Sequence, residues 1–376
     1  MKTINHLDLF SGVGGFSLGL KRAGVKVGWH GFSDIDKHAN KVFKERFPDA
    51  EELGPVESIK PDELPRIDLI TFGFPCQDLS IAGKRKGFDG SRSSLFFESI
   101  KIIEATKPQY FVFENVKGFF SSNDGKDFAI ALGAVADIGY DGQWQLLNTR
   151  WFLPQNRERV YFVGHIRGES RPQVFPIGED DGEVKESRKD NTRISAASSR
   201  EFGWKEVSPI LCARDYKDPK LVQIGAKTGL YKVRPVITPN RKNKSQNGRR
   251  FKEDGEDMFT LTAMEQHGIM VSEATKKGYA IAEEGDSINL SVPGRKTRRG
   301  RVRKGEANTL DTGMQQYTMQ SGIRRLTPTE TERLQGFPDG WTEGQSDTQR
   351  YKQMGNAVSV PVVKAVMEKL YIGEIN

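Results

Sequence analysis

One of the two cysteines in the chain lies in a tight turn, Gly73-Phe74-Pro75-Cys76-Gln77, directly after an apolar run. That run, residues 67–72, has the length of a strand, so Cys76 is predicted in the loop that leaves the carboxyl end of the strand. In open α/β sheets ligands bind at this end, where a thiolate can act as a nucleophile. A lone cysteine is more often a small buried hydrophobic residue, so its assignment depends on the other reactive side chains.

A carboxylate and two guanidinium groups are further candidates for chemistry. Glu114 follows a predicted strand at residues 110–113, where the ordinary explanation is a capping or loop acid. Arg157 and Arg159 lie in the segment 155–161, whose alternating charges are equally typical of an exposed strand edge. None of these residues identifies a reaction alone, and it is their appearance together with Cys76 that favours a catalytic site.

The amino-terminal segment has the pattern of a nucleotide-binding unit. Residues 5–19 predict a strand, a turn through Gly12, Gly14 and Gly15, and the start of a helix. Glycines in such a turn let the backbone approach a cofactor at the amino terminus of the helix. Asp34 ends the next predicted strand, 22 residues after Gly12, and is well placed to accept hydrogen bonds from a ribose. Because the spacing is not a strict G-x-G-x-x-G, the motif alone indicates a nucleotide site only in general terms.

The composition is that of a soluble protein with ample core-building capacity. The chain has 376 residues, enough for two domains or one elaborated domain. Two cysteines cannot form a disulfide framework, and there is neither an apolar run of 18 residues nor an apolar amino-terminal segment, which favours a soluble cytoplasmic protein. The net charge of +7 and the isoelectric point near 9.1 suit a polyanionic partner.

Positive charge is concentrated in the later half of the chain. Residues 241–252 include six Lys and Arg, residues 295–304 include seven, and neither run contains an acid. Without these thirteen residues the net charge would be −6. Solvated loops are the ordinary explanation for one such run, but each precedes an element of similar sequence, at 258–263 and 307–312. With a third element at 208–211 they form a repeat that is too short to indicate a solenoid.

Hydrophobic periodicity is strong at both ends of the chain and fades between residues 168 and 322, which predicts an irregular second domain. A capping box at Thr327 and Glu330 predicts a helix from Pro328 to Gln335. The last helix follows residues 355–358, and its apolar face has to be buried, most naturally on the first domain. The other predicted elements are helices at 37–47, 93–106 and 127–138 and strands at 143–148 and 159–166.

Together, these segments resemble the motifs of the DNA (cytosine-5) methyltransferase family, in the family's order and over nearly the whole chain. DLFSGVGGFSLGL at 8–20 resembles the first motif, and GFPCQDLS at 73–80 resembles the catalytic one. One such match has little weight, but seven in the same order are highly specific. The other five are GSRSSLFFE at 90–98, Glu114-Asn115-Val116, and the segments 155–161, 325–338 and 355–358.

The reaction that this resemblance implies suits the residue types. Carbon-5 of cytosine is a poor nucleophile, so a group must first add to carbon-6, and the thiolate of Cys76 is suited to that step. An acid at N3, for which Glu114 is the candidate, favours the addition by donating a hydrogen bond or a proton. The resemblance assigns to Arg157 and Arg159 the roles of holding the base carbonyl and orienting the cysteine and the glutamate. The predicted reaction is methyl transfer to carbon-5 of cytosine in duplex DNA.

The resemblance also implies S-adenosylmethionine as the methyl donor and S-adenosylhomocysteine as the product. Where the family commonly has Gly-Asp-Ile or Gly-Asp-Val, this chain has Gly54-Pro55-Val56, so the usual carboxylate acceptor for the adenine amino group is missing. A backbone carbonyl or Glu57 could replace it. The predicted cofactor residues, with Asp34 on the ribose and Ile35 beside the adenine, are Phe10, Ser11, Gly12, Gly14, Gly15, Asp34, Ile35, Pro75, Leu95, Asn356 and Val358.

Double-stranded DNA is the predicted partner, and the target base must leave the stack to reach the cysteine. Residues 80–92, rich in glycine and cations, are predicted to close behind it as a lid. The basic runs are expected to contact phosphates, while the Thr-Leu pairs that follow them mark the reading elements. The predicted DNA-binding residues are Gln77, Ser80, Lys84, Arg85, Arg249, Arg250, Thr260, Leu261, Arg298, Arg299, Arg301, Thr309 and Leu310.

The sequence thus predicts two domains. Residues 1–167, completed by 345–376, are expected to form a Rossmann-like α/β catalytic domain with a mostly parallel, twisted sheet flanked by helices. Residues 168–344 are expected to form a small irregular target-recognition domain. No metal site and no membrane segment are expected, the expected location is a bacterial or phage-infected cytoplasm, and a separate cognate restriction endonuclease would be a further partner.

Three alternatives differ from this hypothesis in what they require. A related RNA cytosine-5 methyltransferase would have a minimal insertion in place of residues 168–322. A catalytically inactive DNA-binding regulator would have lost Cys76 or Glu114, and both residues are present. A nicotinamide-dependent oxidoreductase would explain the segment from Gly12 to Asp34 and would leave Cys76, Glu114 and Arg159 without a role.

Overall fold

The chain divides into two compact units. The structure, a computed structural model, describes residues 3–75, 94–169, 172–178, 233–237, 267–283, 285–290, 301–312, 316–319 and 323–371. The first unit comprises Met1–Leu153, Arg157–Val184 and Glu332–Asn376, and the second comprises Pro154–Asn156 and Lys185–Thr331. The catalytic and recognition roles of the predicted domains, 1–167 with 345–376 and 168–344, stay a prediction.

A seven-stranded sheet forms the centre of the first unit. Its strands are β1 (Thr3–Leu9), β2 (Lys26–Ser33), β3 (Glu51–Glu52), β4 (Leu69–Phe72), β5 (Tyr110–Val116), β6 (Tyr140–Asn148) and β7 (Glu158–Ile166), in the order β3-β2-β1-β4-β5-β7-β6. Neighbouring strands from β3 to β5 are parallel, whereas β7 runs antiparallel to β5 and β6. The prediction of a mostly parallel α/β sheet is confirmed.

Helices cover both faces of this sheet. The helices of the described residues are α1 (Gly15–Arg22), α2 (Lys37–Arg46), α3 (Ser94–Thr106), α4 (Lys126–Asp137), α5 (Pro328–Gln335), whose first residues belong to the second unit, α6 (Asp347–Asn356) and α7 (Val360–Leu370). Alternate residues of each strand face opposite sides, so Phe111 packs with α3 and α4 while Val112 packs with α1 and α7. The described part of the chain contains no helix long and apolar enough to cross a membrane.

The carboxyl-terminal helix α7 is part of the first unit and lies directly against α1. A methyl group added to Gly19 of α1 would clash with the Val363 side chain, so the two helices approach closely because position 19 is glycine. The predicted capping box is confirmed at the start of α5. The Glu330 amide donates to Thr327 Oγ1 at 3.2 Å, and the Thr327 amide donates to Glu330 Oε2 at 2.8 Å.

The described part of the second unit consists of short antiparallel strands. They are β8 (Val233–Ile237), β9 (His267–Ser272), β10 (Tyr279–Ala282), β11 (Ser287–Asn289), β12 (Val302–Arg303), β13 (Gln316–Met319) and β14 (Ile323–Arg325). They form a sheet of order β10-β9-β8 and a sheet of order β12-β11-β13-β14. The sequence predicted an irregular domain because strands of two to six residues are too short to show a hydrophobic alternation.

Candidate active site

Two loops leave the carboxyl ends of the neighbouring strands β1 and β4, where the order of the strands in the sheet reverses. The chain runs from β1 to β2 and β3 on one side, and then to β4 and β5 on the other. In open α/β sheets the crevice at such a point is where ligands bind. The loop after β1 carries the predicted glycine turn, and the loop after β4 begins with Gly73, Phe74 and Pro75, which lead to Cys76.

The turn after β1 requires glycine for its backbone and for its packing. The φ angle is +54° at Gly12 and +84° at Gly14, in the left-handed region that favours glycine. A methyl group on Gly14 would also lie 2.6 Å from Cε2 of Phe47. Gly15 packs in the same way against the carboxyl-terminal segment, since a methyl group there would lie 2.6 Å from Cγ2 of Val358. The structure therefore brings together Gly15 and Val358, two of the predicted cofactor residues.

Open space and an unpaired hydroxyl accompany this turn. A methyl group on Gly12 would meet no described atom within 4 Å. The Ser11 hydroxyl is buried, and within the described ranges it has no hydrogen-bond partner. Ile35 exposes 77% of its surface, an unusual value for a large apolar side chain. A buried polar atom without a partner and an exposed apolar side chain are both features of a ligand site.

The Asp34 carboxylate joins the end of β2 to the glycine turn. Its Oδ2 accepts a hydrogen bond from the Gly12 amide at 2.9 Å, and its Oδ1 accepts one from the Asp36 amide at 2.8 Å. Burial raises the pKa of this carboxyl above its ordinary value, although the backbone donors oppose the shift. Each carboxylate oxygen has a second lone pair, so Asp34 can hold the turn and still accept from a ligand hydroxyl.

The backbone around Pro55 is already engaged in hydrogen bonds. The Ser33 hydroxyl donates to the Gly54 carbonyl at 2.6 Å. The Pro55 carbonyl accepts from the Ser58 amide at 3.0 Å and from the Ser58 hydroxyl at 2.7 Å. Glu57 is exposed, so of the two replacements expected for the missing aspartate its carboxylate is the less engaged acceptor.

Glu114 and Arg159 form an ion pair between neighbouring strands. Arg159 Nε lies 2.9 Å from Glu114 Oε1, with the Glu114 and Arg159 side chains 11% and 16% exposed. In the antiparallel pairing of β5 with β7, Arg159 is opposite Val116, two residues from Glu114 on the same face. This register brings the candidate acid and one of the two candidate arginines into contact, a contact that neither residue's sequence environment shows.

The same carboxylate lies beside the loop that leads to Cys76. Strands β4 and β5 are parallel, with Phe72 opposite Phe113, so their carboxyl ends are adjacent. A methyl group on Gly73 would lie 3.6 Å from Glu114 Oε2, and the Asn115 side chain donates from Nδ2 to the Phe74 carbonyl at 3.5 Å. The structure thus places Glu114 next to a residue three positions before the cysteine.

Arg157 is buried and contacts the backbone that precedes Val358. Its guanidinium group donates to the Ala357 carbonyl at 2.8 Å and to the Gly355 carbonyl at 3.3 Å. The Arg157 amide donates to Asn148 Oδ1 at 3.1 Å. Arg157 therefore fixes the segment whose Val358 packs against Gly15, whereas its predicted contact with a base stays a prediction.

The remaining predicted residues of the first unit have varied surroundings. Leu95 on α3 packs partly buried against the core, Pro75 is partly buried, and Phe10 is partly buried with a φ of +52°. Asn356 is exposed at the end of α6. Cys76 and the lid residues Gln77, Ser80, Lys84 and Arg85 lie outside the described residues.

Comparison with known families decides what kind of site this is. The sequence profile of the C-5 cytosine-specific DNA methylase family matches residues 4–371. The chain belongs to this family. It is a DNA cytosine-5 methyltransferase, and the family resemblance stated from its motifs is confirmed.

Curated relatives support the same assignment over the full length of the chain. The type II methyltransferase M.HgiCI of Herpetosiphon aurantiacus is 30% identical, over 98% of this chain and 98% of the relative. The type II methyltransferase M1.ScrFI of Lactococcus lactis subsp. cremoris is 31% identical, over 97% of this chain and 77% of the relative. The orphan methyltransferase M.SPRI of Bacillus phage SPR is 28% identical, over 100% and 99%.

Solved structures share the fold at lower identity. The crystal structure of S. pombe Dnmt2 methyltransferase has a TM-score of 0.58 and 16% identity, and the match covers 99% of each chain. A putative DNA modification methyltransferase encoded within a prophage (E. coli) has a TM-score of 0.57 and 22% identity, over 98% of this chain and 99% of the other. At these identities the likeness shows the methyltransferase fold alone.

The Thr309-Leu310 element of this methyltransferase is held by the first residues of the segment 155–161. Within the second unit, the Asn156 amide donates to the Ala307 carbonyl at 3.0 Å, and the Thr309 hydroxyl donates to the Asn156 carbonyl at 2.6 Å. Gln155 is fully buried, with Oε1 at 3.5 Å from the Leu310 amide. Leu310 is buried as well, so in the free protein it supports the element, and the predicted DNA contacts of Thr309 and Leu310 stay a prediction.

Arg301 is the one predicted phosphate-contacting arginine that falls within the described residues, and it is only 4% exposed. Its guanidinium group donates to the Asn289 carbonyl at 3.2 Å. The structure thus places this side chain inside its unit, and a contact with DNA would need a different arrangement. The other predicted DNA-binding residues of this region, Arg249, Arg250, Thr260, Leu261, Arg298 and Arg299, lie outside the described residues.

Sequence analysis did not anticipate a buried polar cluster at the base of the glycine turn. This Asp8 cluster consists of His6 and Asp8 on β1, Ser17 on α1, His30 on β2 and Thr71 on β4. Burial raises the pKa of Asp8 to about 7, and it lowers the pKa of His30 to about 4 and that of His6 well below its ordinary value. The available signal was an aspartate between two leucines, Leu7 and Leu9, in a predicted strand.

No group of three or more His, Cys, Asp or Glu side chains that could hold a metal ion occurs in the described part of the chain. The chemistry described below uses the cysteine, the carboxylate and the two arginines.

Proposed function

We propose that this methyltransferase acts on a cytosine that is flipped out of a specific sequence in duplex DNA, through a transient bond between the Cys76 sulfur and carbon-6 of the base. The observation that carries the proposal is the position of Glu114. Its carboxylate is paired with Arg159 at 2.9 Å and lies beside Gly73, three residues before the cysteine. An acid and a nucleophile at one edge of the sheet match the two functions that attack on a pyrimidine requires.

The bond changes at the base balance with these two groups, a methyl group that the cofactor would supply and an acceptor for the carbon-5 proton. The Cys76 thiolate adds to carbon-6, and the electron pair of the 5,6 double bond becomes available at carbon-5 as Glu114 donates a hydrogen bond or a proton at N3. Carbon-5 would use this pair to take the methyl group of a bound cofactor, whose sulfur would keep the electrons of the broken bond, and carbon-5 then loses its proton. The electron pair of that carbon–hydrogen bond re-forms the double bond and expels the thiolate from carbon-6, and a proton taken up at N3 returns to Glu114. Within the described residues no side chain is assigned as the base for this last proton, and water or hydroxide can take it.

Arg159 has two roles in this scheme. It compensates the Glu114 charge inside a largely buried site, and it orients the carboxylate toward the position of the base. Arg157 acts indirectly, because its guanidinium group holds the Gly355 and Ala357 carbonyls next to the proposed cofactor pocket.

The residues around the glycine turn fit S-adenosylmethionine. The buried Ser11 hydroxyl lacks a partner within the described ranges, the space at Gly12 is open, Asp34 has lone pairs for a ribose, and Ile35 is exposed beside it. We assign the cofactor to these residues together with Gly15, Val358 and Asn356. When bound, this cofactor supplies an electrophilic methyl group on a positively charged sulfur, and S-adenosylhomocysteine remains.

Duplex DNA is the substrate class that the family implies, and reading of its sequence is assigned to the second unit. The element 307–310 is fixed by Gln155 and Asn156, so residues just after it, such as Asp311, are held at a defined place on that unit. The target base has to leave the stack, because carbon-6 is inaccessible to a thiolate within a duplex.

Bisulfite sequencing of DNA from cells that express the protein tests this function. We expect protected cytosines within one fixed sequence context in cells with the wild-type protein and none above background with Cys76→Ser. A host strain without its own cytosine methyltransferases provides the background. Protection that is absent in the wild type, or that is unchanged in the variant, would refute the proposal.

A further inference from the structure

The Asp8 cluster connects the glycine turn to the strand that leads to Cys76. Asp8 is completely buried, and its carboxylate accepts two hydrogen bonds from hydroxyl groups on different elements. The Ser17 hydroxyl donates to Oδ2 at 2.7 Å, and the Thr71 hydroxyl donates to Oδ1 at 2.9 Å. Each oxygen of the carboxylate is thus committed to a different part of the first unit.

The positions of these three residues relate the cluster to the site. Asp8 is in register with Thr71 on β4, and it stands two residues before Phe10, where the glycine turn begins. Ser17 lies in the first turn of α1, two residues after Gly15. Thr71 precedes Gly73 by two residues and Cys76 by five. One oxygen therefore holds the helix that leaves the glycine turn, and the other holds the strand that carries the cysteine loop.

Two neutral imidazoles complete the cluster. His30 Nε2 lies 3.0 Å from the Ser17 hydroxyl, and His6 Nε2 lies 2.8 Å from the Thr71 hydroxyl. The two rings stack with their centres 5.2 Å apart and their planes at 21°. With a partner on each side, both hydroxyl groups have fixed orientations, so the two contacts to Asp8 are directional.

Burial of the Asp8 carboxyl group opposes folding, because an ionisable group loses its hydration. Replacing a whole buried polar cluster by well-packed apolar side chains is often neutral or stabilising, because no ionisable group is then removed from water. The geometry of the cluster offers a reason for its presence, which is that hydrogen bonds fix direction and distance where apolar contacts do not.

We propose that Asp8 is a positioning residue for the methyl-transfer reaction, which sets the glycine turn through Ser17 and the Cys76 strand through Thr71. The inference rests on the proposed function, since it assigns the turn to S-adenosylmethionine and the strand to the nucleophile. It predicts that loss of the Ser17 contact and loss of the Thr71 contact have different effects, which a general loss of stability would not produce. The Ser17 contact acts on cofactor affinity, and the Thr71 contact acts on the rate at which the cysteine attacks.

Two measurements separate the two contacts. Titration calorimetry with S-adenosylhomocysteine measures the dissociation constant at the glycine turn. The rate of adduct formation on a duplex with 5-fluorocytosine at the target, at saturating S-adenosylmethionine, measures the attack by Cys76. We expect Ser17→Ala to weaken S-adenosylhomocysteine binding about 3- to 10-fold, as for one lost hydrogen bond, with the adduct rate little changed. Thr71→Val should slow adduct formation by a similar factor with the affinity little changed, and Thr71→Ser should restore the rate.

A matched control is available in the same unit. The Ser122 hydroxyl donates to the buried Asp127 carboxylate, which is the same kind of contact at the start of α4. Ser122→Ala should lower the thermal midpoint as much as Ser17→Ala does while changing neither site measurement. Asp8→Asn should affect both the affinity and the rate.

The outcomes distinguish this inference from the function on which it rests. Wild-type protein that neither binds S-adenosylhomocysteine nor forms an adduct would overturn the proposed function. If the wild type does both, and Ser17→Ala and Thr71→Val change the two measurements together or no more than Ser122→Ala does, the cluster is structural only and the inference is wrong.

Discussion

The segment 155–161 is divided between the two units, and its two parts are held in different ways. Gln155 and Asn156 belong to the second unit, where neutral hydrogen bonds connect them to residues 307–310. Arg157 and Arg159 belong to the first unit, where their guanidinium groups contact two backbone carbonyls and the Glu114 carboxylate. One short segment thus supplies neutral contacts to the proposed recognition element and charged contacts to the proposed catalytic site.

This difference indicates which part of the molecule tolerates change. Hydrogen bonds with an ionised partner are roughly twice as strong as neutral ones, and a buried charge left without its partner is costly. The contacts of Arg157 and Arg159 therefore fix the proposed catalytic site, whereas the element 307–310 is held by contacts that a single substitution can remove at low cost. A methyltransferase built in this way can change the proposed reading residues without disturbing the proposed catalytic residues.

The largest expected effect is on the charged side, at Glu114. Glu114→Gln keeps a hydrogen-bond donor but removes the transferable proton, so the methylation rate should fall about 10²- to 10⁴-fold with S-adenosylhomocysteine affinity unchanged. The matched control is Glu158→Gln, on the adjoining strand, whose partner Lys117 is exposed, and its rate should stay within about twofold. Single-turnover methylation assays measure both. Equal losses in the two variants would remove Glu114 from the proposed role.

The next effect tests the comparison directly through stability. Arg157→Met removes two hydrogen bonds from a charged donor and leaves the Ala357 carbonyl with the weaker Gln335 contact at 3.2 Å, so we expect a loss of about 2–4 kcal/mol of unfolding free energy. Thr309→Val removes one neutral hydrogen bond and should cost about 0.5–1.5 kcal/mol. Urea unfolding, with the exposed sites Arg150→Met and Thr312→Val as controls, gives both values. Equal losses of unfolding free energy in Arg157→Met and Thr309→Val would contradict the difference between the charged and the neutral contacts.

A pH-dependent effect is expected from Asp8, whose pKa burial raises from 3.8 to about 7. Between these values the folded protein keeps a proton that the unfolded chain has lost, so stability falls as the pH rises and levels off above about pH 7. The neighbouring groups His6, His30 and Asp34 also titrate, but they are present in both proteins when wild type is compared with Asp8→Asn.

The difference between the two proteins therefore isolates the Asp8 carboxyl. The unfolding free energy of the wild type, relative to that of Asp8→Asn, should decrease by about 1.4 kcal/mol per pH unit between about pH 5 and 6.5. Urea titrations at several pH values measure it. A difference that does not vary over this range would show that Asp8 is ionised throughout.

The smallest effect concerns the missing acceptor at Pro55. The Gly54 and Pro55 carbonyls already accept hydrogen bonds from Ser33 and Ser58. We therefore expect the adenine amino group to lack a full hydrogen-bond acceptor, which a new carboxylate at position 55 would supply. Pro55→Asp is expected to strengthen S-adenosylhomocysteine binding by about 0.5–1.5 kcal/mol, the value of one net hydrogen bond. Titration calorimetry decides it. Unchanged affinity, together with a loss in Glu57→Gln, would identify Glu57 as the acceptor already in use.

The parts that could be predicted from the sequence are those with local signals. The glycine turn, the strand before Cys76 and the capping box at Thr327 each depend on residues a few positions apart, and the structure has the expected elements at all three places. The fold class followed from the alternation of strands and helices. Glu114 and Arg159 could be named as candidates, but their contact depends on the register of β5 with β7, which no local pattern shows.

The parts that could not be predicted depend on contacts between distant residues. Asp8 and Thr71 are 63 positions apart, so the Asp8 cluster appears only once β1 and β4 are paired. Arg301 lies in a basic run that suggested an exposed side chain, and its burial follows from packing within the second unit. Helix α6 was missed as well, because its sequence is mostly polar and its residues Tyr351 and Met354 are buried by tertiary contacts.

The most direct test of the central claim is covalent trapping on a duplex with 5-fluorocytosine at the target position. Fluorine cannot leave carbon-5 as the proton does, so an enzyme that has added to carbon-6 stays attached to the DNA. With S-adenosylmethionine, the wild type should form a complex that survives denaturing electrophoresis, Glu114→Gln should form it far more slowly, and Cys76→Ser should form none. If Cys76→Ser traps the duplex as well as the wild type does, Cys76 is not the nucleophile and the proposed mechanism is wrong.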